Sequence, residues 1–498
     1  MVPVVARVWQ RTGFAFALAG AGLSAIASVW ALAHVLDNGA MHYDIGGWAP
    51  PVGIEYVVDN IAAYVATVVS VIATLVIIAT RRWADREAGD RIGSFYGLVM
   101  LLLTGLLGMV VTGDLFNLFV FIEISSLAAY ALIFLGGRGG MIAGFRYLIL
   151  GSIGGSFYML GVGFLYFATG TLNMAEMKEI LTADASSRSI QVGAAFIFTG
   201  LGLKMALVPL HLWLPDAYTF APSSVNSLIA PIMTKVAAYA MVRMFLSVFP
   251  AGYLADAVPV ANALLVLGLI GVMYGSIVAM AQRDIRRMLA YSSISQLAMI
   301  AVGIGLATPL GFVAALLHVM NHAAMKGTLF LVAASVRYRT NANAVQDFVG
   351  LGRAMPLTML AFTLAALAMV GIPPFAGFFS KWYLVQAGVE SGQWLVVAVV
   401  LASSLLTAVY LFRILEAAYL RPAQPEPKHG GGHDDAQGAG PSSASTHESH
   451  AAVETKTGPR TAEAPADMVV PTLILGVATL VLGIFNAVVV NTVLRPGV

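Results

Sequence analysis

Residues 202–235, GLKMALVPLHLWLPDAYTFAPSSVNSLIAPIMTK, place two lysines in otherwise apolar, helix-like sequence with Pro209, Pro215 and Pro222 between them. A lysine at mid-bilayer costs roughly 2.5 to 3.5 kcal/mol on insertion scales, so such residues face a bundle interior or a wet path and mark ion or proton routes. Lys204 and Lys235 are therefore the first functional candidates. Pro209 removes a backbone donor shortly after Lys204, which predicts a helix broken just beyond that lysine. Broken helices persist at membrane depth only where protein buries them or they line a cavity.

The rest of the chain supports a membrane setting. Of its 498 residues 59% are hydrophobic and 10% charged, and the mean hydropathy is +0.84, far more apolar than an ordinary globular domain. With a net charge of +2 and no recurring basic face, nucleic acid is excluded as a partner. There is no cysteine, so disulfides and cysteine-ligated iron–sulfur clusters are excluded and any electrons travel on another subunit. Apolar runs of about 20 residues predict thirteen spans, at 12–35, 57–80, 94–111, 114–135, 144–168, 190–210, 222–249, 261–282, 287–306, 309–335, 355–378, 392–419 and 468–491. The first follows Arg7 and Arg11 but is longer than a signal-peptide core of about 7 to 15 residues, and is expected to be retained. No soluble domain is left over.

Lys and Arg collect on the cytoplasmic side of membrane proteins. With the N-terminus inside, 18 basic residues fall in cytoplasmic loops, against Lys178, Arg188, Lys381 and Arg495 on the other side. This predicts a multi-pass protein of the inner (plasma) membrane with its N-terminus and the 420–467 loop cytoplasmic and its C-terminus outside. That loop, rich in Pro, Gly, Ser and His, lacks the apolar residues to bury a core and reads as a disordered linker. His429, His433, His447 and His450 within it are too irregularly spaced to indicate a metal site.

Glu123 lies mid-helix in GDLFNLFVFIEISSLAAY, 113–130, where a carboxylate needs a partner or a proton. Asp114, at that helix's entrance, suits a capping role. GIPPFAGFFSKWYL, 371–384, repeats the logic of Pro209: Gly371, Pro373 and Pro374 interrupt a span shortly before Lys381. Two interrupted helices, each with a lysine, in successive halves of the chain are the pattern of a transporter built from inverted repeats. In HVMNHAAMKGTLF, 318–330, His318, His322 and Lys326 recur every four residues, forming one titratable stripe with steps of about 6 Å. An i, i+4 histidine pair also suits a metal, and His211 is the one other strong candidate for a facing haem ligand, but no carboxylate or cysteine completes a metal site there. A proton relay fits better, and neither a metal nor another cofactor is expected. Arg243 and Arg413 lie near predicted span ends, where a long basic side chain can reach the interface. The glycines of GSIGGSF, 151–157, are expected to allow close helix packing. No phosphate-binding loop or dinucleotide fingerprint is present.

In combination GDLFNLFVFIEISSLAAY, GLKMALVPLHLWLPDAYTFAPSSV, AQRDIRRMLAYSSISQ at 281–296, HVMNHAAMKGTLF and GIPPFAGFFSKWYL resemble the antiporter-like, proton-translocating membrane subunits shared by Mrp-type cation/proton antiporters, respiratory complex I (NADH:quinone oxidoreductase) and membrane-bound hydrogenases, most like the D-type subunit of Mrp. The resemblance, from about residue 48 to 420, implies an all-α polytopic membrane protein with two inverted five-helix repeats and broken helices at Pro209 and Gly371 to Pro374. It implies peripheral helices at 1–93, proton-channel repeats at 94–249 and 261–419, the linker at 420–467 and a last helix in 468–498. Glu123 and Lys204 are the implied acid–lysine pair, Lys235 with His318, His322 and Lys326 the central axis, and Lys381 the distal lysine, with Asp114, His211, Asp216 and Arg413 supporting. The family has fourteen helices with both ends outside; thirteen here, starting inside, suggests that the usual first helix is missing or that the start was set too late. The implied function is proton conduction in a multi-subunit Na⁺ or K⁺/proton antiporter; the alternative is a pumping subunit of a complex I-like oxidoreductase or hydrogenase. Other subunits, protons and the bilayer are the expected partners, and no covalent catalysis is expected in this chain.

Overall fold

A computed structural model describes residues 12–421 and 463–498. Its helices of seven residues or more are α1 Thr12–Asn38, α2 Asn60–Ala88, α3 Ile92–Val111, α4 Leu115–Phe134, α5 Gly137–Thr169, α6 Met174–Ala183, α7 Arg188–Met205, α8 Leu214–Phe220, α9 Ser223–Arg243, α10 Val260–Ala281, α11 Ile285–Gly305, α12 Pro309–Thr340, α13 Pro356–Val370, α14 Ala376–Glu390, α15 Trp394–Tyr419 and α16 Ala466–Ile484. The chain is a multi-pass, all-helical membrane bundle. Among the described residues nine stretches are long and apolar enough to cross a membrane, and one of them, Asn60–Val111, joins α2 to α3. That criterion does not reproduce thirteen spans. The interrupted helices are one reason: α13 and α14 have 15 residues each, about 22 Å, and neither alone crosses a core of about 30 Å.

Two departures from the expected pattern lie on one face. A two-stranded antiparallel hairpin, β1 Met41–Asp44 with β2 Glu55–Val58, precedes α2 in register Met41↔Val58 to Asp44↔Glu55. The expected span from residue 57 therefore begins as strand, and α2 starts only after Asp59 caps Ala62 N at 2.9 Å. The short α6 is the other; Asn173 caps it through Ala175 N and Glu176 N. The 420–467 linker falls largely outside the described residues, and where the chain is described again Glu463 accepts bonds from Leu357 N and Thr358 at the start of α13.

An internal repeat organises the bundle. Asp114 caps α4 and bridges antiparallel to Asn173; Asp284 caps α11 and bridges antiparallel to Ala344. The backbone bonds match: Leu115 N to Leu172 O and Met174 N to Gly113 O in one, Ile285 N to Asn343 O and Val345 N to Arg283 O in the other. Each knot pins the start of one helix to the segment after the next, so α3, α4, α5, the interrupted α7–α8 and α9 correspond to α10, α11, α12, the interrupted α13–α14 and α15. Five crossings are odd, which inverts the second set. The face with the hairpin and Asp114 also holds the Arg243–Asp59 pair; the other, the arginine face, holds Arg82–Asp467 and Arg146–Asp216. On the arginine face the Glu87 carboxylate accepts from Ser223 N (2.6 Å) and Ser224 N (3.1 Å), satisfying donors that a helix start leaves open. The centre is α9, α11 and α12: every residue of α9 is buried. Helix α1 is peripheral, with Leu23, Ile26 and Trp30 exposed.

Candidate functional site

Helix α7 ends one residue after Lys204. Ala206 turns left-handed at φ 61°, and Trp213 Nε1 donates to Leu203 O at 2.9 Å, so this C-terminus inside the protein is capped by side chain rather than by solvent. The Lys204 ammonium, 6% exposed, donates to Ser126 Oγ at 2.8 Å, Tyr130 OH at 3.4 Å and Glu123 Oε1 at 3.4 Å, all on α4. Residues 123, 126 and 130 share a face at helical spacing. The α5 glycines do two jobs. Gly161 approaches α7 so closely that a Cβ there would lie 2.6 Å from Gly193 O, whereas a Cβ on Gly155 would meet Glu123 Oε1 at 2.3 Å and one on Gly151 would meet Tyr130 OH at 1.8 Å. Helix packing, expected from the sequence, is joined by a cradle for the acid and its phenol.

Lys235, 1% exposed, lies on α9 and donates to Ala230 O at 2.6 Å. It lies within Coulombic reach of His318, His322 and Lys326. On α12 the His318 and His322 rings stack at 5.8 Å. His318 Nδ1 is 2.9 Å from Ser380 Oγ and its Nε2 3.1 Å from Gln296 Oε1, whereas neither ring nitrogen of the fully buried His322 has a hydrogen-bond partner among the described residues. Lys326 donates to Leu289 O (2.8 Å) and Ser292 Oγ (2.9 Å), and that hydroxyl lies 2.9 Å from Tyr410 OH.

Lys381 follows Ser380 on α14 and reaches back across the second break. Its ammonium donates to Met369 O at 2.9 Å, Val370 O at 3.0 Å and Ser404 Oγ at 3.1 Å. The first two are terminal carbonyls of α13, orphaned by the helix end and carrying the negative pole of its dipole. Gly371 makes this possible: its φ is 92°, and a Cβ there would lie 3.1 Å from Lys381 Cδ. Lys204 lies in the last turn of α7, but its ammonium is turned to α4.

Of the file of seven expected relay residues six are buried and Glu123 is partly exposed: Glu123 and Lys204 meet in the first repeat, Lys235 and the α12 stripe lie in the middle, and Lys381 lies in the second. Among the described residues, Lys204 is the one lysine of the file paired with a carboxylate. The supporting four lie elsewhere. Asp114 caps α4 through Asn117 N at 2.7 Å; His211 packs against Tyr274 at 4.9 Å; Asp216 pairs with Arg146 and Arg287; Arg413 donates to Met280 O and Gln282 O at the end of α10. These contacts are with residues in or capping α4, α5, α10 and α11, other than the seven relay residues. Sequence reasoning missed Ser126, Tyr130, Gln296 and Ser380; the first two were detectable from their spacing to Glu123, the last two only from the packing of α11 and α14 on α12. No group of three His, Asp or Glu side chains is placed to hold a metal among the described residues. The arrangement offers titratable groups and hydroxyls in succession, suited to moving protons.

Residues 112–407 match the family model described as NADH:quinone oxidoreductase/Mrp antiporter, TM. The chain is 44% identical over 504 residues to an NADH-quinone oxidoreductase subunit N of Desulforudis audaxviator, covering 99% of this chain and 95% of the relative. It is 30% identical over 411 residues to the D-type subunit of a Na(+)/H(+) antiporter of Alkalihalophilus pseudofirmus, covering 82% of each. Among solved structures it resembles a chain of the membrane-bound sulfane sulfur reductase, an archaeal respiratory membrane complex, with a TM-score of 0.85 and 30% identity, covering all of this chain and 94% of the other.

Proposed function

Because the chain belongs to the NADH:quinone oxidoreductase/Mrp antiporter family of membrane subunits, we propose that it is a proton-translocating subunit of a redox-driven membrane complex. The observation that carries proton movement is the succession of titratable side chains within the bundle from the Glu123–Lys204 pair to Lys381. The kind of complex rests on relatives: near full-length identity of 44% to an oxidoreductase subunit N against 30% over 82% of the chain to a D-type antiporter subunit. The likeness to the sulfane sulfur reductase chain adds support. The cation/proton antiporter reading drawn from the motifs has the weaker support, and Na⁺ or K⁺ exchange belongs to it.

In this reading a proton arriving near Glu123 neutralises the carboxylate beside Lys204. The altered field in a low-dielectric interior biases the next site, and charge passes through Lys235 and the α12 stripe to Lys381. The repeats at 94–249 and 261–419 are the two half-channels, the arginine face is cytoplasmic, and redox partners supply the driving force. Subunit identification in the purified native complex tests the assembly: flavin and iron–sulfur subunits are expected, and a set of small antiporter subunits alone would reverse the choice.

Two further results are expected. Glu123→Gln keeps the shape and removes the ionisable group, so transport should fall to a small residue; a rate equal to wild type would show that ionisation there is dispensable. Asp90 and Ser186 are exposed on opposite faces of a chain with no native cysteine. A cysteine at Asp90 should react with an impermeant reagent only from the cytoplasm, and one at Ser186 only from outside; the reverse pattern would invert the orientation.

A further inference from the structure

On the hairpin face lies a cavity that the file of relay residues does not use. Its volume is about 680 Å³ and its polar lining includes His42, Glu55, Asp59, Lys178, Glu179 and Arg243. The hairpin forms one wall, where His42 Nδ1 lies 2.6 Å from Glu55 Oε1 and Glu55 Oε2 accepts from Asn173 Nδ2 at 3.1 Å. Helix α6 forms another, its Lys178 ammonium donating to Leu246 O at 2.8 Å.

At the inner end Arg243, 8% exposed, donates to Asp59 Oδ2 at 2.5 Å, to Ser247 Oγ at 3.2 Å and to Tyr239 OH at 2.8 Å. Tyr239 OH donates onward to Val110 O at 2.7 Å. Lys235, Tyr239 and Arg243 recur every four residues and so share one stripe of α9, with steps of about 6 Å. Directly after Arg243 the helix widens into a π turn, Met244–Val248, a distortion that concentrates at functional sites. The stripe thus runs from the cavity to a lysine within Coulombic reach of both α12 histidines.

We propose that this cavity is the mouth of the proton file on the hairpin face, with Asp59–Arg243 as its inner gate and Tyr239 as the step between the gate and Lys235. The proposal rests on the relay reading above. Arg243 keeps its proton throughout and acts by position. A proton taken up by the Asp59 carboxylate cancels its hold on the guanidinium, which then swings aside and exposes the stripe; loss of that proton recloses the pair.

The chain's lack of cysteine makes the test direct. Ala175 lines the cavity and is exposed. In membrane vesicles of the assembled complex, Ala175→Cys should transport like wild type until an impermeant cationic thiosulfonate is added on the hairpin face. Transport should then fall by about tenfold, the order of effect that charge in a focusing cleft has on ion encounter, while the cysteine-free chain treated alike is unchanged. Arg243→Lys, which keeps the charge and loses the fork that grips Asp59 and Tyr239, should separately slow transport severalfold. Lys204→Ala is measured in the same vesicles. If it abolishes transport while labelled Ala175→Cys runs at the wild-type rate, or Arg243→Lys is unaltered, the mouth is overturned and the relay stands. If Lys204→Ala transports normally, it is the relay that falls.

Discussion

Lys204→Ala should reduce proton transport to background while the protein still inserts and assembles. The ammonium is the donor to three α4 groups, and no other cation is paired with Glu123 among the described residues. Removing one partner of a buried pair usually costs about 3 to 5 kcal/mol, because the other charge is left uncompensated. Here the Glu123 side chain is 25% exposed and can relieve the cost by binding a proton. Removing a lysine from the membrane interior also lowers the insertion penalty. The loss should therefore appear in transport rates and not in expression or assembly, measured side by side in the same vesicles. Wild-type rates at normal expression would remove Lys204 from the relay.

Lys381→Met should also abolish transport, but with a second signature that Lys204→Ala lacks. Methionine fills the space of the stem and provides no donor, leaving the Met369 and Val370 carbonyls without the ammonium that now bridges them. An unsatisfied buried acceptor costs about 1 to 3 kcal/mol, so the purified variant should unfold at a lower temperature. A variant of unchanged thermal stability would mean that the break is held by its other contacts; undiminished transport would take Lys381 out of the file.

Much of this was legible in the sequence, for reasons that differ from residue to residue. Prolines announced both breaks because they cannot donate to a helix. The spacing of His318, His322 and Lys326 announced a stripe, and Glu123 was conspicuous as a carboxylate in an apolar run. The partners of these groups were harder to see. Ser380 and Gln296 meet His318 only because α14 and α11 pack on α12, and hydroxyl and amide side chains are common in helices for many reasons. Arg243 read as an ambiguous residue near a span end because its acid, Asp59, lies 184 positions away. The hairpin was obscured by the apolar run that follows it, although the aromatic and β-branched residues of EYVV suit a strand. The choice between antiporter and oxidoreductase left no mark on any motif, since the two uses share the same proton-handling residues.

The matched aspartate knots at Asp114 and Asp284 have a consequence for voltage. A unit with an odd number of crossings hands the chain to its copy on the opposite side, so α7 and α13 enter from opposite faces and their terminal carbonyls point toward each other across the midplane. Their dipoles are opposed. A membrane potential acts on a net displaced charge, about 2.3 kcal/mol per elementary charge per 100 mV, and two antiparallel half-helices present almost none. The dipole contributions of these two half-helices therefore cancel along the membrane normal, leaving the field to act on the charges that move between them.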